Sequence, residues 1–406
     1  MGSREKLQGD FINNLENRIE PPRLKSVDAF RGFCVILLIL SHSSNYWVDN
    51  TNSILFGILN SLAAVGAPMF FILVGISIIL MKDRRNQAGQ SDELIKKHVL
   101  RRGLFLICFG FIYNIIVEAA IYYIFPNFGF SPYSAVFRIY TSTNFWDWLF
   151  LWGIFHSIGL CYIISYFLLK VPKKTRLFIV IGILLFNLII AYLPLINGQG
   201  PIHIIRMGWY YYPTAHPLVF LLDIFIYGQF PLIPWLSFVI IGTILGQYLK
   251  EAIQNNELSK FSKRNWKTGT IISLVGIGEL ILLMFPGFFP DSTLYVIFSI
   301  GISMLFFQIF YVYYELDKKQ SKKIEILLIK MGKFSLTLYF FTGLLFVDLF
   351  LFLGLLLQSQ LLGNLSIIMV MPLSFTCVFL FILISNLWEK VDYKYSLNWI
   401  EDQVTG

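Results

Sequence analysis

Two histidines stand inside long apolar stretches of this sequence, where an ionisable ring is unexpected. His42 lies 14 residues after Asp28 in the run that begins at Lys25, and His156 lies 14 residues before Lys170. At about 1.5 Å per residue, a helix places each ring roughly 21 Å from the basic end of its own segment. Because an ionisable group at membrane depth marks a functional-site hypothesis, we interpret both histidines as candidate catalytic residues.

A buried imidazole suits several roles in group transfer. It can act as a general base on an acceptor, donate a hydrogen bond to a developing oxyanion or form a covalent acyl intermediate. The sequence does not choose among these roles. The plainer alternative is a hydrogen bond to a neighbouring helix, and it has more weight for His156, because the surroundings of His42 are polar (Ser41, Ser43, Ser44 and Asn45).

Other polar residues fall near the same depth, and they indicate a shared polar chamber. They are Asn114 and Glu118 in the third apolar run, Glu279 in the seventh and Asp348 in the ninth. We predict that Glu118 contacts substrate. A helix–helix contact is the simplest reading of Asn114, and Glu279 and Asp348 are more simply structural partners or residues of the outer vestibule.

A polar segment with basic neighbours precedes the first apolar run. Asp28 and Arg31 are three residues apart and therefore share a helix face. They can form an ion pair, or Arg31 can join Arg101, Arg102 and Lys25 in holding a phosphate, which the planar guanidinium recognises well. Both interpretations stay open, because the positive-inside rule alone also places basic residues at this level.

The composition indicates an integral membrane protein. Of 406 residues, 56% are hydrophobic and only 14% are charged, with a mean hydropathy of +0.68, whereas soluble domains carry about 25% charged residues. The apolar runs are continuous and near twenty residues long, which favours helices. The net charge of +8 does not indicate nucleic-acid binding, because the basic residues flank apolar runs.

The pattern predicts an all-α bundle of about ten transmembrane helices around a central polar cavity. The spans are predicted at 27–47, 61–81, 101–124, 146–169, 177–196, 232–249, 268–286, 293–314, 335–357 and 366–388, with an interfacial helix at 217–228. This arrangement puts 30 of the 32 Lys and Arg residues on the side of the N-terminus, so both termini are predicted to be cytoplasmic. We divide the chain into a cytoplasmic lead (1–24), one membrane domain (25–390) and a cytoplasmic tail (391–406).

Aromatic residues collect in the predicted outer loops. An interfacial belt explains most of them, but some could stack on sugar rings, and we take Trp47, Trp235 and the nearby Asn45 as candidate substrate-binding residues. The four cysteines show no CxxC or Cys/His ligand spacing, so the sequence predicts neither a disulfide framework nor a metal site.

The segment RLKSVDAFRGFCVILLILSH (23–42) resembles the opening of the transmembrane acyltransferases related to heparan-α-glucosaminide N-acetyltransferase. Their bacterial and archaeal relatives begin with a similar Asp-x-x-Arg-Gly and a span that ends in His or Asn. Further similar segments follow in order: GAPMFFILVGISI (66–78), GIFHSIGLCYI (153–163), FPLIPWLSFVIIGTILG (230–246) and GKFSLTLYFFTGLL (332–345).

The resemblance implies acetyl-CoA or another acyl-CoA as the donor, bound from the cytoplasm of a prokaryotic cell. The acyl group would pass to a hydroxyl or amine, often of a sugar, on the other side of the membrane. Asp28, Arg31, Arg101 and Arg102 would hold the nucleotide end, while the thioester approaches His42. Two departures leave an amino-sugar acceptor open: Ile54 stands where the lysosomal enzyme has a histidine, and Phe341-Thr342 stands where many relatives have one.

The competing class is a proton-coupled transporter or flippase, in which buried histidines and carboxylates would relay protons. The sequence shows no inverted repeat or pair of broken helices that would favour it. A non-catalytic sensor or assembly partner is a third class. Monomer and homodimer both stay open.

Overall fold

The computed structural model describes residues 24–48, 65–118, 149–192, 217–283, 293–316, 323–345 and 365–406, with a few single residues between them. Within these ranges the chain forms helices joined by short connections, with an isolated bridge between Val48 and Leu365. The helices are α1 (Lys25–Trp47), α2 (Gly66–Gln87), α3 (Asp92–Tyr113), α4 (Ile154–Leu168), α5 (Lys173–Tyr192), α6 (Pro217–Leu222), α7 (Leu232–Gln254), α8 (Leu258–Leu283), α9 (Thr293–Tyr311), α10 (Lys323–Lys333), α11 (Ser335–Gly343), α12 (Ile367–Glu389) and α13 (Leu397–Thr405). Helices α3, α6 and α9 continue as π-helical turns over Asn114–Glu118, Asp223–Tyr227 and Val312–Leu316.

Six helices of the described residues are long and apolar enough to cross a membrane. A seventh span results if α10 and α11 are counted together, although they are bent by 76° at Phe334. The all-helical membrane architecture is thereby confirmed. The count of ten spans stays a prediction, because parts of several predicted spans, including 119–124, 284–286 and 346–357, lie outside the described residues.

The first helix is anchored at its N-terminus by a distant part of the chain. The amide N–H of Ser26 donates to Oε1 of Glu315 at 3.1 Å, and Asp28 places a second carboxylate in the first turn. Both carboxylates complement the positive end of the helix dipole. The start of α1 is thus tied to the end of α9.

Helices α1 and α10 cross with their backbones in direct contact. A Cβ atom on Gly32 would overlap the carbonyl of Leu328, and a Cβ atom on Gly332 would overlap the carbonyl of Asp28. Small residues permit this close approach between membrane helices. The glycine of the Asp-x-x-Arg-Gly motif is therefore required by packing.

The segment 391–406, predicted as a tail, contains a helix that packs onto the bundle. Oδ1 of Asn398 in α13 accepts hydrogen bonds from the amide and the hydroxyl of Thr337 at 3.2 and 3.1 Å. The first of these bonds satisfies the amide of Thr337, which lies in the first turn of α11 and has no partner within that helix. Helix α13 therefore holds α11 in place.

Candidate active site

A polar cavity of about 140 Å³ lies where α1, α3 and α4 meet the start of α7 and the middle of α11. Its described walls combine imidazole, carboxyl, amide, hydroxyl and aromatic groups. They come from Ser41, His42, Gly110, Tyr113, Asn114, Glu118, Gly153, Ile154, Phe155, His156, Gln229, Phe230 and Tyr339. Both predicted histidines thus face one cavity, together with Asn114 and Glu118.

Asn114 organises the wall between α3 and α4. Its Nδ2 donates to the carbonyl oxygens of Leu149 and Leu151 at 3.1 and 2.8 Å. These bonds hold residues 151–153 out of helical conformation, so that α4 begins at Ile154. The same bonds leave Oδ1 as an acceptor beside Gly153.

The one hydrogen bond that His156 makes among the described residues indicates which ring nitrogen carries the proton. Its Nδ1 accepts a hydrogen bond from the amide N–H of Gly153 at 3.3 Å, as a Glu or Gln side chain does at this position of a capping box. A ring nitrogen that accepts a hydrogen bond carries no proton, so the neutral ring has its proton on Nε2. This Nε2 is buried, and no described residue forms a hydrogen bond with it. His156 can therefore donate a hydrogen bond from Nε2 to a ligand atom.

The ring of His156 is held tightly by its neighbours. Phe111 meets it edge-on at 4.4 Å between ring centres, and Trp152 lies 5.1 Å away on another side. Gly110 also packs directly against the ring, because a Cβ atom there would lie only 2.5 to 2.7 Å from three atoms of the imidazole. The direction of the Nε2–H bond is thus fixed by packing.

His42 enters the cavity near the end of α1 and meets a tyrosine that sequence reasoning missed. Its ring lies 6.1 Å from that of Tyr339, nearly perpendicular to it, and Tyr339 packs in turn on Phe155 at 4.8 Å. Tyr339 gave no signal because tyrosine is common in membrane helices. Gln229, also missed, stands one residue before a predicted span motif, where a polar residue is unremarkable.

The predicted aromatic substrate contacts are not among the described cavity walls. Trp235 packs against Phe71 and Phe230 at 4.9 and 4.7 Å. Trp47 is fully buried, and its carbonyl accepts a hydrogen bond from the amide of Leu365 at 2.9 Å. The side chains of Asn45 and Glu279, and all of Asp348, lie outside what the structure describes. The substrate-binding roles of Trp47, Trp235, Asn45 and Glu118 stay predictions.

At the basic end of the bundle, two of the predicted phosphate ligands already hold partners. Nη1 of Arg31 lies 3.2 Å from Oδ1 of Asp28, and Nη2 donates to the hydroxyl of Ser77 at 3.0 Å. Arg102 pairs with Glu401 of α13, with Nε 2.9 Å from Oε1. Arg101 is exposed. The roles of Asp28, Arg31, Arg101 and Arg102 as ligands of a phosphate stay predictions.

Glu401 is a buried carboxylate supplied by the C-terminal helix. Burial raises the pKa of its carboxyl group above the ordinary value, and Arg102 beside it acts in the opposite direction. An anionic ligand at Arg102 would compete with this carboxylate. Within the described part of the chain, no group of three or more His, Cys, Asp or Glu side chains is placed to hold a metal ion.

Comparisons with known proteins show sequence similarity to one family of membrane acetyltransferases. The family model of the heparan-alpha-glucosaminide N-acetyltransferase catalytic region matches residues 23–286, which include every described cavity wall except Tyr339. The human heparan-alpha-glucosaminide N-acetyltransferase is 29% identical over 148 residues, or 36% of this chain. The match spans only 18% of the human protein.

Proposed function

The chain belongs to the heparan-alpha-glucosaminide N-acetyltransferase catalytic family, and from this premise we propose that it transfers an acetyl group from acetyl-CoA inside the membrane. The donor enters from the basic, cytoplasmic end of a ten-span bundle with both termini on that side. The acceptor, a hydroxyl or amine of a sugar, reaches the cavity from the opposite end. The family supports acetyl transfer, and the donor, acceptor and sidedness are our proposal.

One observation carries the proposal: His156, whose Nε2 has no hydrogen-bond partner among the described residues, lines the same cavity as His42. Acyl transfer needs a donor for the oxyanion that forms on the thioester carbonyl, and a base for the proton of the acceptor. We assign the donor role to His156, since its Nδ1 is occupied. His42 is then the base.

The reaction balances with these two groups. The acceptor oxygen or nitrogen attacks the thioester carbon, and His42 takes the proton that the acceptor loses. The carbonyl electrons move to oxygen, where the Nε2–H of His156 stabilises them. When the carbonyl re-forms, the C–S bond breaks, and the leaving thiolate receives the proton from His42. No acyl-enzyme is required.

The size of the cavity supports a short acyl group. Pockets that enclose whole drug-sized ligands measure about 300–1,000 Å³, whereas this cavity measures about 140 Å³. It has room for an acetyl thioester and the nucleophilic end of an acceptor. The nucleotide of the donor must therefore stay outside it, and the basic residues Arg31, Arg101 and Arg102 are our candidates to hold it.

Ligand-induced stabilisation tests the donor directly, because a ligand that binds only the folded state raises its stability. We expect acetyl-CoA to raise the Tm of the purified protein more than a long-chain acyl-CoA does. A panel of sugars and amino sugars then identifies the acceptor through release of free CoA thiol. Absence of stabilisation by any acyl-CoA would refute the proposal, and substrate-coupled proton flux without thioester consumption would favour a transporter.

A further inference from the structure

Basic side chains from two helices gather around Tyr248 of α7. The ammonium of Lys173 lies 4.1 Å from the centre of the tyrosine ring, and the guanidinium carbon of Arg264 lies 3.8 Å from it. Arg176, one turn after Lys173, donates through Nη2 to Gln247, which precedes Tyr248. We propose that this Tyr248 cluster (Lys173, Arg176, Arg264 and Tyr248) binds the phosphate headgroup of an anionic membrane lipid.

The charges of the cluster are not balanced within the protein. Glu251 pairs with Lys173 at 2.7 Å. Among the described residues, neither Arg176 nor Arg264 has a carboxylate partner. Three cations thus meet one carboxylate. Two like charges on one ring repel each other, and a phosphate between them would turn this repulsion into attraction.

Arg176 supplies a second, independent indication of a ligand. Arg176 is 1% exposed, its Nη1 donates to the hydroxyl of Thr243 at 2.8 Å, and its Nε has no partner within the described part of the chain. A guanidinium that is withdrawn from water and meets only neutral acceptors is costly. A nearby anion would offset that cost.

The start of α5 adds to the positive potential. The helix begins at Lys173, with Lys174 beside it and no acidic residue in the first turn. Cations at this end oppose the helix dipole, whose positive pole favours an anion. A phosphate bound at this end would be attracted both by the lysine side chains and by the helix dipole.

The apolar face beyond the cluster indicates that the phosphate belongs to a lipid. Directly after Arg176, Leu177, Phe178, Ile181 and Leu185 of α5 are exposed, at 47, 72, 44 and 54%. An amphiphile can place its headgroup at Tyr248 and its acyl chains along these side chains. Basic sites of this kind between membrane helices recognise anionic headgroups.

The test measures binding of phosphatidylglycerol to the full chain in detergent, by native mass spectrometry and by the shift in Tm. Because Arg176 is buried, the test variant removes the more accessible cations, as Lys173→Gln with Arg264→Gln. The matched control, Lys170→Gln with Lys263→Gln, removes the same charge from exposed residues that lie just before α5 and on α8. Phosphatidylcholine and inorganic phosphate serve as the alternative probes.

We expect the test variant to lose about 25-fold in affinity for phosphatidylglycerol, or about fivefold for each cation removed, while the control variant keeps the affinity of the parent chain. Equal affinities in both variants would overturn the site. Equal stabilisation by inorganic phosphate at the same concentration would assign the site to a soluble anion and overturn the lipid. Equal binding of phosphatidylcholine would overturn recognition of net negative charge.

Discussion

Replacing Gly110 by alanine is expected to displace the His156 imidazole while the helix stays intact. The new Cβ would lie 2.5 Å from Cε1, 2.6 Å from Nδ1 and 2.7 Å from Nε2 of the ring. Carbon atoms pack best at about 3.5–4.0 Å, so the ring must move by about 1 Å. That movement disrupts the 3.3 Å hydrogen bond from Gly153 and misdirects Nε2.

The expected loss is in catalysis rather than in folding. A misplacement of about 1 Å in an active site costs about 100-fold in rate, so kcat should fall by about that factor. Alanine favours a helix over glycine by about 1 kcal/mol, which offsets part of the about 1–3 kcal/mol that overpacking costs. The Tm should therefore change by only a few degrees.

The assay compares release of CoA thiol by purified Gly110→Ala, the parent chain and Gly182→Ala. Gly182 is the matched control, because a Cβ atom there meets nothing within 4 Å and the position is also helical. Affinity for acetyl-CoA, measured by calorimetry, should be the same in all three. If Gly110→Ala turns over within twofold of the parent chain, His156 does not act through the position of its ring.

His156→Gln keeps an N–H donor and should retain more activity than His156→Ala, which should lose about 10²–10³-fold in kcat; His42→Gln should be no better than His42→Ala in single-turnover transfer, and partial rescue by glutamine at His42 would contradict its role as base. Arg31→Ala should weaken acetyl-CoA binding in calorimetry, whereas Glu401→Gln should strengthen it by removing the competing carboxylate; no change in either affinity would place the donor elsewhere. Asp223 lies in the segment predicted as an interfacial helix, and its carboxyl group has no hydrogen-bond partner among the described residues. Burial raises its pKa to about 7. The folded state therefore binds more protons than the unfolded state between about pH 4 and 7. The free energy of unfolding of the protein should fall by up to about 4 kcal/mol as the pH rises through that window. If the Tm of Asp223→Asn falls with pH as steeply as the Tm of the parent chain, this prediction is contradicted.

Hydropathy predicted the cores of the helices well and their ends less well. The first span was predicted at 27–47, and α1 covers Lys25–Trp47. The fourth was predicted from residue 146, but α4 begins at Ile154, because Asn114 binds the carbonyls that would continue the helix. An apolar segment held open by a side chain from another helix has the same hydropathy as a helix.

The depth argument grouped side chains of which His42, His156, Asn114 and Glu118 line one cavity, but it could not predict how side chains are oriented. Helical rise placed His42 and His156 at one level, and the cavity contains both. The same reasoning gave no indication that Trp235 packs among other aromatic rings. It also did not predict that Tyr339 lines the cavity from α11, which is bent by 76° relative to α10. Rotation about a helix axis depends on packing partners that are distant in sequence.

The short helix α13 links the two ends of the proposed reaction path. Asn398 holds Thr337, two residues before Tyr339, while Glu401 on the next turn holds Arg102. An anion that draws Arg102 away from Glu401 would loosen the grip of the same helix on α11. Binding of an anion at Arg102 and the position of α11 at the cavity are then thermodynamically linked. Such linkage is reciprocal, so an acceptor that fits best when α11 is released would increase the affinity for the donor.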